Sequence, residues 1–180
     1  MLEVELKIGI PSLKCVREEL KRHHAESLGR VHEHDIYYNA PHRDFGITDE
    51  AVRVRYTDDH AVVTYKGPKI KSYNLKAREE LNFAVESGEN FETMLQRLGF
   101  TKTAEVNKWR ENYTMGKASI SLDTVDELGT FVEIEVIAGM ADEDPTDRIG
   151  KIAHEIGVEG EPILASYLEL LLNKRAAGKQ

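Results

Sequence analysis

Acidic and basic side chains alternate with apolar ones near the start of this chain. Glu3, Glu5 and Lys7 would lie on one face of a strand, and Val4 and Leu6 on the other, because successive strand residues point to opposite faces. Carboxylates that share a face can bind a hard divalent cation, whereas guanidinium and ammonium groups bind phosphate oxygens. The strand therefore carries both kinds of group that metal-assisted chemistry on a phosphorylated substrate requires.

The same alternation recurs in later segments of the chain. Charged residues share a strand face at Arg53 and Arg55, at Arg78 and Glu80, at Lys108 and Arg110, and at Glu133 and Glu135. Any one of these faces could simply be the solvated side of a sheet. Solvated strand positions usually mix Thr, Ser, Gln, Lys and Glu, however, whereas three of these four segments pair two acids or two bases. We therefore interpret the charged faces as parts of one site.

Period-two segments dominate the secondary-structure pattern. About eight strands and about four helices are predicted, with the first strand at residues 2–10 and a run of antiparallel strands from about 30 to 86. Helices are expected at "PSLKCVREELKRHH", "NFETMLQRLG", "DPTDRIGKIAHEIG" and "ILASYLELLL". The predicted fold is mainly β (α+β): a closed eight-stranded antiparallel barrel with helices packed outside, forming one domain over residues 1–180.

The charged faces are predicted to point into the barrel, because amphipathic helices need the apolar faces to pack against. Buried ions that water cannot reach cost several kcal/mol each, so this lumen must be a hydrated tunnel. Its basic residues would be Lys7, Arg53, Arg55, Lys66, Lys108 and Arg110, and its acidic residues Glu3, Glu5, Glu80, Asp123, Glu133 and Glu135. Such a tunnel suits a triphosphate, with the cations on phosphate and the carboxylates holding Mg²⁺ or Mn²⁺.

An ordered set of motifs accompanies these residues. It comprises Glu-x-Glu-x-Lys at residues 3–7, "HDIYYNAP", "VRVRY", "YKGP", "REE", "KWRENY", "SLDTVDELGTFVEIE" and "SYLELL". With them the chain resembles the CYTH superfamily, the triphosphate tunnel metalloenzymes, over nearly its whole length. The resemblance implies metal-side carboxylates at Glu3, Glu5, Glu133 and Glu135, joined by Asp123. It implies phosphate-binding cations at Lys7, Arg53, Arg55, Lys66, Lys108 and Arg110. Arg78 and Glu80 fall in the central Arg/Glu strand of the family. We assign Arg78 to phosphate binding and Glu80 to the metal side.

The resemblance is strongest to the class IV adenylyl cyclases, which implies conversion of ATP to cyclic AMP and pyrophosphate. Hydrolysis of thiamine triphosphate, tripolyphosphate or a nucleoside triphosphate is the alternative, and a non-catalytic nucleotide- or polyphosphate-binding protein is a third. Ala165 stands where cyclases tend to have Arg before the Ser-Tyr pair. The general base is not identified by the sequence.

Composition limits the partners. The net charge of −8 disfavours nucleic acid and anionic membranes, and neither a membrane-spanning segment nor a signal peptide is visible. We expect a cytoplasmic protein whose partner is a small-molecule triphosphate, with a homodimer as the default assembly. Cys15 is expected to be a buried thiol and Trp109 to pack under a helix. Ser166 and Tyr167 are expected to serve helix packing, and closure of one tunnel mouth is the alternative.

Overall fold

The computed structural model describes residues 2–58, 60–70, 76–137 and 144–178, which form eight strands and five helices. The strands are β1 (Leu2–Gly9), β2 (Glu26–Asn39), β3 (Ala51–Thr57), β4 (His60–Lys66), β5 (Lys76–Val85), β6 (Thr101–Met115), β7 (Ala118–Val125) and β8 (Gly129–Ile137). The helices are α1 (Lys14–Arg22), α2 (Phe45–Thr48), α3 (Gly88–Arg97), α4 (Pro145–Glu155) and α5 (Tyr167–Ala177).

The strands close into an antiparallel barrel in the order β1-β5-β4-β3-β2-β6-β7-β8. Two runs of consecutive hairpins, β2 to β5 and β6 to β8, form most of the wall, and β1 joins them by pairing with both β5 and β8. Because the barrel is closed, none of the described strands is an edge strand. Each strand can therefore form backbone hydrogen bonds with a neighbour on both sides. The predicted eight-stranded barrel is confirmed.

Helices cover the apolar outer face of the barrel. Val16 and Leu20 of α1 and the isoleucines of α4 pack against Val4 and Ile134 of the wall, and Leu20 and Ile134 are fully buried. On another side, Leu95 of α3 packs with the outward residues of β2, β3 and β4. Because these apolar faces are under helices, the charged faces of the same strands point inward, as predicted.

One end of the barrel interior is apolar rather than charged. Inward-facing Tyr37, Val106 and Phe131 pack there against Tyr167 and Leu171 of α5. Helix α5 therefore covers this end, and its first residue contributes an aromatic ring to the interior. Ser166 is its N-cap and forms a capping box with Glu169.

Three local expectations were wrong. A fifth helix, α2, forms in the loop after β2, where the Asp44 side chain accepts from the Gly46 N–H. Cys15 is exposed, because the buried stripe of α1 runs through Val16 and Leu20 and leaves the preceding residue outside. Trp109 points outward from β6, but none of the described helices buries it: 44% of it is exposed, and the Arg30 guanidinium lies 4.4 Å from the centre of its ring.

None of the helices in the described part of the chain has the length and apolarity needed to cross a bilayer.

Candidate functional site

A cavity of about 410 Å³ occupies the barrel interior. Acidic and basic side chains line it in equal number, and every residue that the sequence assigned to the site lines it except Asp123. The lining charges are Glu3, Glu5, Lys7, Glu33, Asp35, Arg53, Arg55, Lys66, Arg78, Glu80, Lys108, Arg110, Glu133 and Glu135. We call this cavity the tunnel.

Lys7, on β1, is held by groups from three parts of the chain. Its Nζ lies 3.2 Å from Glu5 Oε1 and 3.2 Å from Glu133 Oε1, and it donates to the Ala165 carbonyl oxygen at 3.2 Å. Glu133 is the register partner of Lys7 on β8, so the pairing follows from the antiparallel ladder. Burial alone would lower the pKa of Lys7, but the carboxylates of Glu133 and Glu5 raise that pKa above its ordinary value, and the ammonium stays charged.

Two buried acids on β2 organise the basic wall of the tunnel. Asp35 accepts from Arg55 Nε at 2.6 Å and Nη2 at 2.7 Å, and Arg53 Nη1 lies 3.5 Å from the same carboxylate. Glu33 lies 2.9 Å from Arg55 Nη1 and 3.0 Å from Lys108 Nζ. These cations overcome burial and lower the pKa of both carboxyl groups, so both acids remain ionised.

Sequence reasoning missed Glu33 and Asp35, although a usable signal was present. In "HEHDIYYN" these two residues and Tyr37 share one strand face, opposite His34 and Ile36. The parity rule that selected Arg53 and Arg55 would have selected them too.

Asp123 does not line the tunnel but lies behind Arg110, fully buried. Arg110 donates to both of its oxygens, at 2.7 Å from Nε and 2.5 Å from Nη2, and the Tyr167 hydroxyl donates to Oδ2 at 2.8 Å. The Nζ atoms of Lys7 and Lys108 sit 4.3 Å and 5.0 Å from the centre of the Tyr167 ring. Tyr167 is thus a lining residue of the tunnel, and the expectation that it serves helix packing alone was wrong.

The acidic wall gathers carboxylates that repel one another. Glu5 and Glu135 stand directly opposite each other on β1 and β8, an unfavourable cross-strand pair when both are ionised. Burial and the neighbouring charge of Glu135 and Glu80 raise the pKa of Glu3 to about 7. Burial and the charges of Glu5, Glu133 and Glu80 raise the pKa of Glu135 to about 7 as well. A divalent cation would relieve this repulsion, and its preferred oxygen ligands are present.

As positioned, no three His, Cys, Asp or Glu side chains among the described residues converge closely enough to coordinate an ion. The carboxylates fit a metal in donor type and in charge. Coordination would require rotation of their side chains.

Two arginines of the tunnel each have an N–H group for which the described part of the chain supplies no partner. Arg53 Nη2 donates to Thr64 Oγ1 at 3.0 Å and Arg78 Nη2 donates to Asp49 Oδ1 at 2.9 Å. The Nε atoms of both arginines are buried and have no hydrogen-bond partner among the described residues. A buried unpaired donor is costly, particularly on a charged group, and either water or an anionic acceptor in the tunnel would satisfy these N–H groups.

Comparison with known proteins gives a consistent result. The CYTH domain family model matches residues 1–166. A protein of Methanocaldococcus jannaschii, named as a candidate adenylate cyclase, is 36% identical over 173 residues, which cover 94% of this chain and 98% of the relative. A solved structure of a Pyrococcus horikoshii protein is 39% identical with a TM-score of 0.83, covering 96% of this chain and 99% of that one.

A more distant structure shares the fold. It is a candidate adenylyl cyclase of Hippeastrum described as having a dominant triphosphatase activity, 17% identical with a TM-score of 0.72, and the match covers 96% of each chain.

Proposed function

The chain belongs to the CYTH domain family, and from that premise we propose that its tunnel binds a triphosphate with Mg²⁺ or Mn²⁺ and catalyses a reaction on it. We assign phosphate binding to the cations that line the tunnel: Lys7, Arg53, Arg55, Lys66, Arg78, Lys108 and Arg110. The whole chain would act as one domain, because Tyr167, which lies just beyond the family match, completes the tunnel.

The observation that carries this proposal is the pair of unpartnered Nε atoms of Arg53 and Arg78 in the tunnel. A guanidinium binds phosphate oxygens through paired N–H groups, and charge-assisted bonds of this kind are stronger than neutral ones. An uncharged ligand would offer the N–H groups of this wall only neutral, weaker hydrogen bonds. A polyphosphate could engage several of its cations at once.

The metal would bind on the opposite, acidic wall, through Glu3, Glu5, Glu80, Glu133 and Glu135. When bound, a divalent cation neutralises charge on the phosphoryl group and stabilises the leaving oxygen. Asp123 is fully engaged by Arg110 and Tyr167, so its part in the proposal is to orient Arg110 towards the substrate.

The reaction we propose first is cyclisation of ATP. In it the 3′-hydroxyl of the nucleotide attacks the α-phosphorus, the bond from the α-phosphorus to the bridging oxygen breaks, and cyclic AMP and pyrophosphate form. The support for this choice is the name of the M. jannaschii relative, whose alignment spans 94% of this chain.

Hydrolysis of a triphosphate is the second candidate. In this reaction water attacks the γ-phosphorus, the bond from the γ-phosphorus to the bridging oxygen breaks, the diphosphate leaves, and orthophosphate forms. One feature of the sequence favours it: Ala165 stands where cyclases tend to have an arginine. The Hippeastrum protein further indicates that this fold can carry a triphosphatase activity.

One experiment separates these possibilities. The purified protein is incubated with ATP, thiamine triphosphate or inorganic tripolyphosphate, each with Mg²⁺, with Mn²⁺ and with a chelator, and the products are identified by mass. Cyclic AMP would support the cyclase, and orthophosphate the hydrolase. Tight binding with every substrate left intact would indicate a non-catalytic sensor, and absence of both binding and turnover would contradict the proposal.

A further inference from the structure

A second cavity, of about 190 Å³, adjoins the tunnel where β2 ends and β3 begins. Helices α2 and α5 form its outer side. It shares four lining residues with the tunnel: Tyr37, Ala51, Arg78 and Ser166. A ligand that reached Arg78 from the tunnel could therefore extend into this side cavity.

The side cavity differs in chemistry from the tunnel. Tyr38, Phe45, Leu168 and Leu172 supply apolar or aromatic surface, and Arg78 is its one cation among the described lining residues. Small-molecule sites of this composition bind ring systems through apolar contact and use a few polar groups to orient them.

The carboxylates that line the side cavity are already engaged. Asp44 accepts from the Gly46 N–H, Asp49 from Lys69 and Arg78, Glu50 from Arg43 and Tyr65, and Glu169 from Lys69 and the Ser166 N–H. Their negative charge is therefore largely compensated within the protein. The cavity favours an uncharged ring over a cationic one.

We propose that the side cavity binds the organic group of the triphosphate substrate, and that this group is an uncharged aromatic heterocycle such as a nucleobase. The inference rests on the proposed function of the tunnel. Arg78 stands at the junction, with Nη2 on Asp49 and Nε unpartnered, so it would bind the phosphate nearest the organic group. The remaining phosphates would extend into the tunnel towards Arg53.

The tunnel and the side cavity together predict a ranking of binding affinity among triphosphates. ATP can fill both cavities, whereas tripolyphosphate can fill only the tunnel. Thiamine triphosphate would place a cationic thiazolium ring in a cavity where three of the four carboxylates already have a cationic partner. We expect ATP to bind most tightly of the three.

The test narrows the side cavity without touching the tunnel. Leu172 lies at its rim, 44% exposed, so Leu172→Trp should fold and obstruct the space. Leu98→Trp, at an exposed leucine next to α3 that lines neither cavity, is the matched control. Dissociation constants for ATP and for tripolyphosphate are measured by titration calorimetry with Mg²⁺ present.

We expect Leu172→Trp to weaken ATP binding about tenfold or more, because a buried ring is displaced, and to change tripolyphosphate binding less than about twofold. In the unmodified protein, excess adenosine should compete with ATP but not with tripolyphosphate. Equal changes for both ligands, or no change for ATP together with no competition by adenosine, would overturn the side-cavity assignment while leaving the tunnel intact. If neither triphosphate binds the unmodified protein, the proposed function itself fails and this assignment fails with it.

Discussion

Replacing Arg53 with lysine tests whether the tunnel binds phosphate through the guanidinium fork. Arg53→Lys keeps the positive charge but removes the Nε and Nη geometry, including the buried N–H that lacks a described partner. A hydrogen bond to a charged group contributes about 1.5–3 kcal/mol. Loss of one such bond to a phosphate oxygen should therefore weaken tripolyphosphate binding by roughly 10- to 150-fold.

The assay is titration calorimetry with tripolyphosphate and, separately, with orthophosphate, after circular dichroism has shown that the variant is folded. The triphosphate should lose more affinity than the monophosphate, because only the longer ligand must align with several fixed cations at once. Arg17→Lys is the control, since Arg17 forms its hydrogen bonds with Glu111 on the outside of the barrel. Tripolyphosphate affinity within twofold of the unmodified protein for Arg53→Lys would refute the assignment of this arginine.

Three further outcomes follow from the charges of the tunnel. Because burial and like charges raise the pKa of Glu3 and Glu135 to about 7, the folded metal-free protein binds more protons than the unfolded chain between about pH 5 and 7. Its free energy of unfolding, measured by urea titration, should therefore rise as the pH falls from 8 to 5.5. Glu135→Gln should make this pH dependence weaker. An unchanged pH dependence in the variant would show that Glu135 does not contribute to it. Arg55→Ala should lower the free energy of unfolding by about 3–5 kcal/mol, because the buried Asp35 would keep only its longer contact with Arg53. Adding Asp35→Ala should restore part of the loss, and additive losses in thermal and urea unfolding would show that the pair is not coupled. Glu5→Gln should abolish Mg²⁺-dependent turnover of the triphosphate while the protein stays folded, and a rate equal to that of the unmodified protein would exclude Glu5 from the metal site.

The ionic interior raises the question of what stabilises the barrel. Buried ion pairs contribute little net stability, because desolvation offsets their attraction, although breaking one is costly. The apolar packing of α1, α3 and α4 on the outer faces is the better candidate for the main stabilising contribution, with residues such as Leu20 and Ile149 fully buried. This division leaves the interior free to carry charges arranged for a ligand.

Much of the site could be predicted from the sequence because strand parity is local. Glu3, Glu5 and Lys7 face the tunnel for the same reason that Val4 faces a helix, and a period of two is visible without any tertiary information. The same rule predicts that Arg53 faces the tunnel, but it does not predict which residues Arg53 contacts there. Strand parity therefore predicts the face on which a side chain lies, but not the residues of other strands that it contacts.

Contacts between strands depend on register, which the sequence does not display. Asp35 meets Arg55 because the two are register partners on β2 and β3, and Glu5 opposes Glu135 for the same reason on β1 and β8. Each pairing is fixed by a ladder whose strands are separated by loops or by most of the chain. The raised pKa of Glu135 is a consequence of this register and of closure.

The sequence by itself determined which side chains share a face and which of them carry charge, because both follow from residue type and a two-residue period. Only the tertiary structure decided that Tyr167 enters the tunnel from a helix and that one N–H of Arg53 and one of Arg78 find no hydrogen-bond partner among the described residues. Those facts require the barrel to close and α5 to cover one end, and closure is a long-range event that brings together residues distant in the chain.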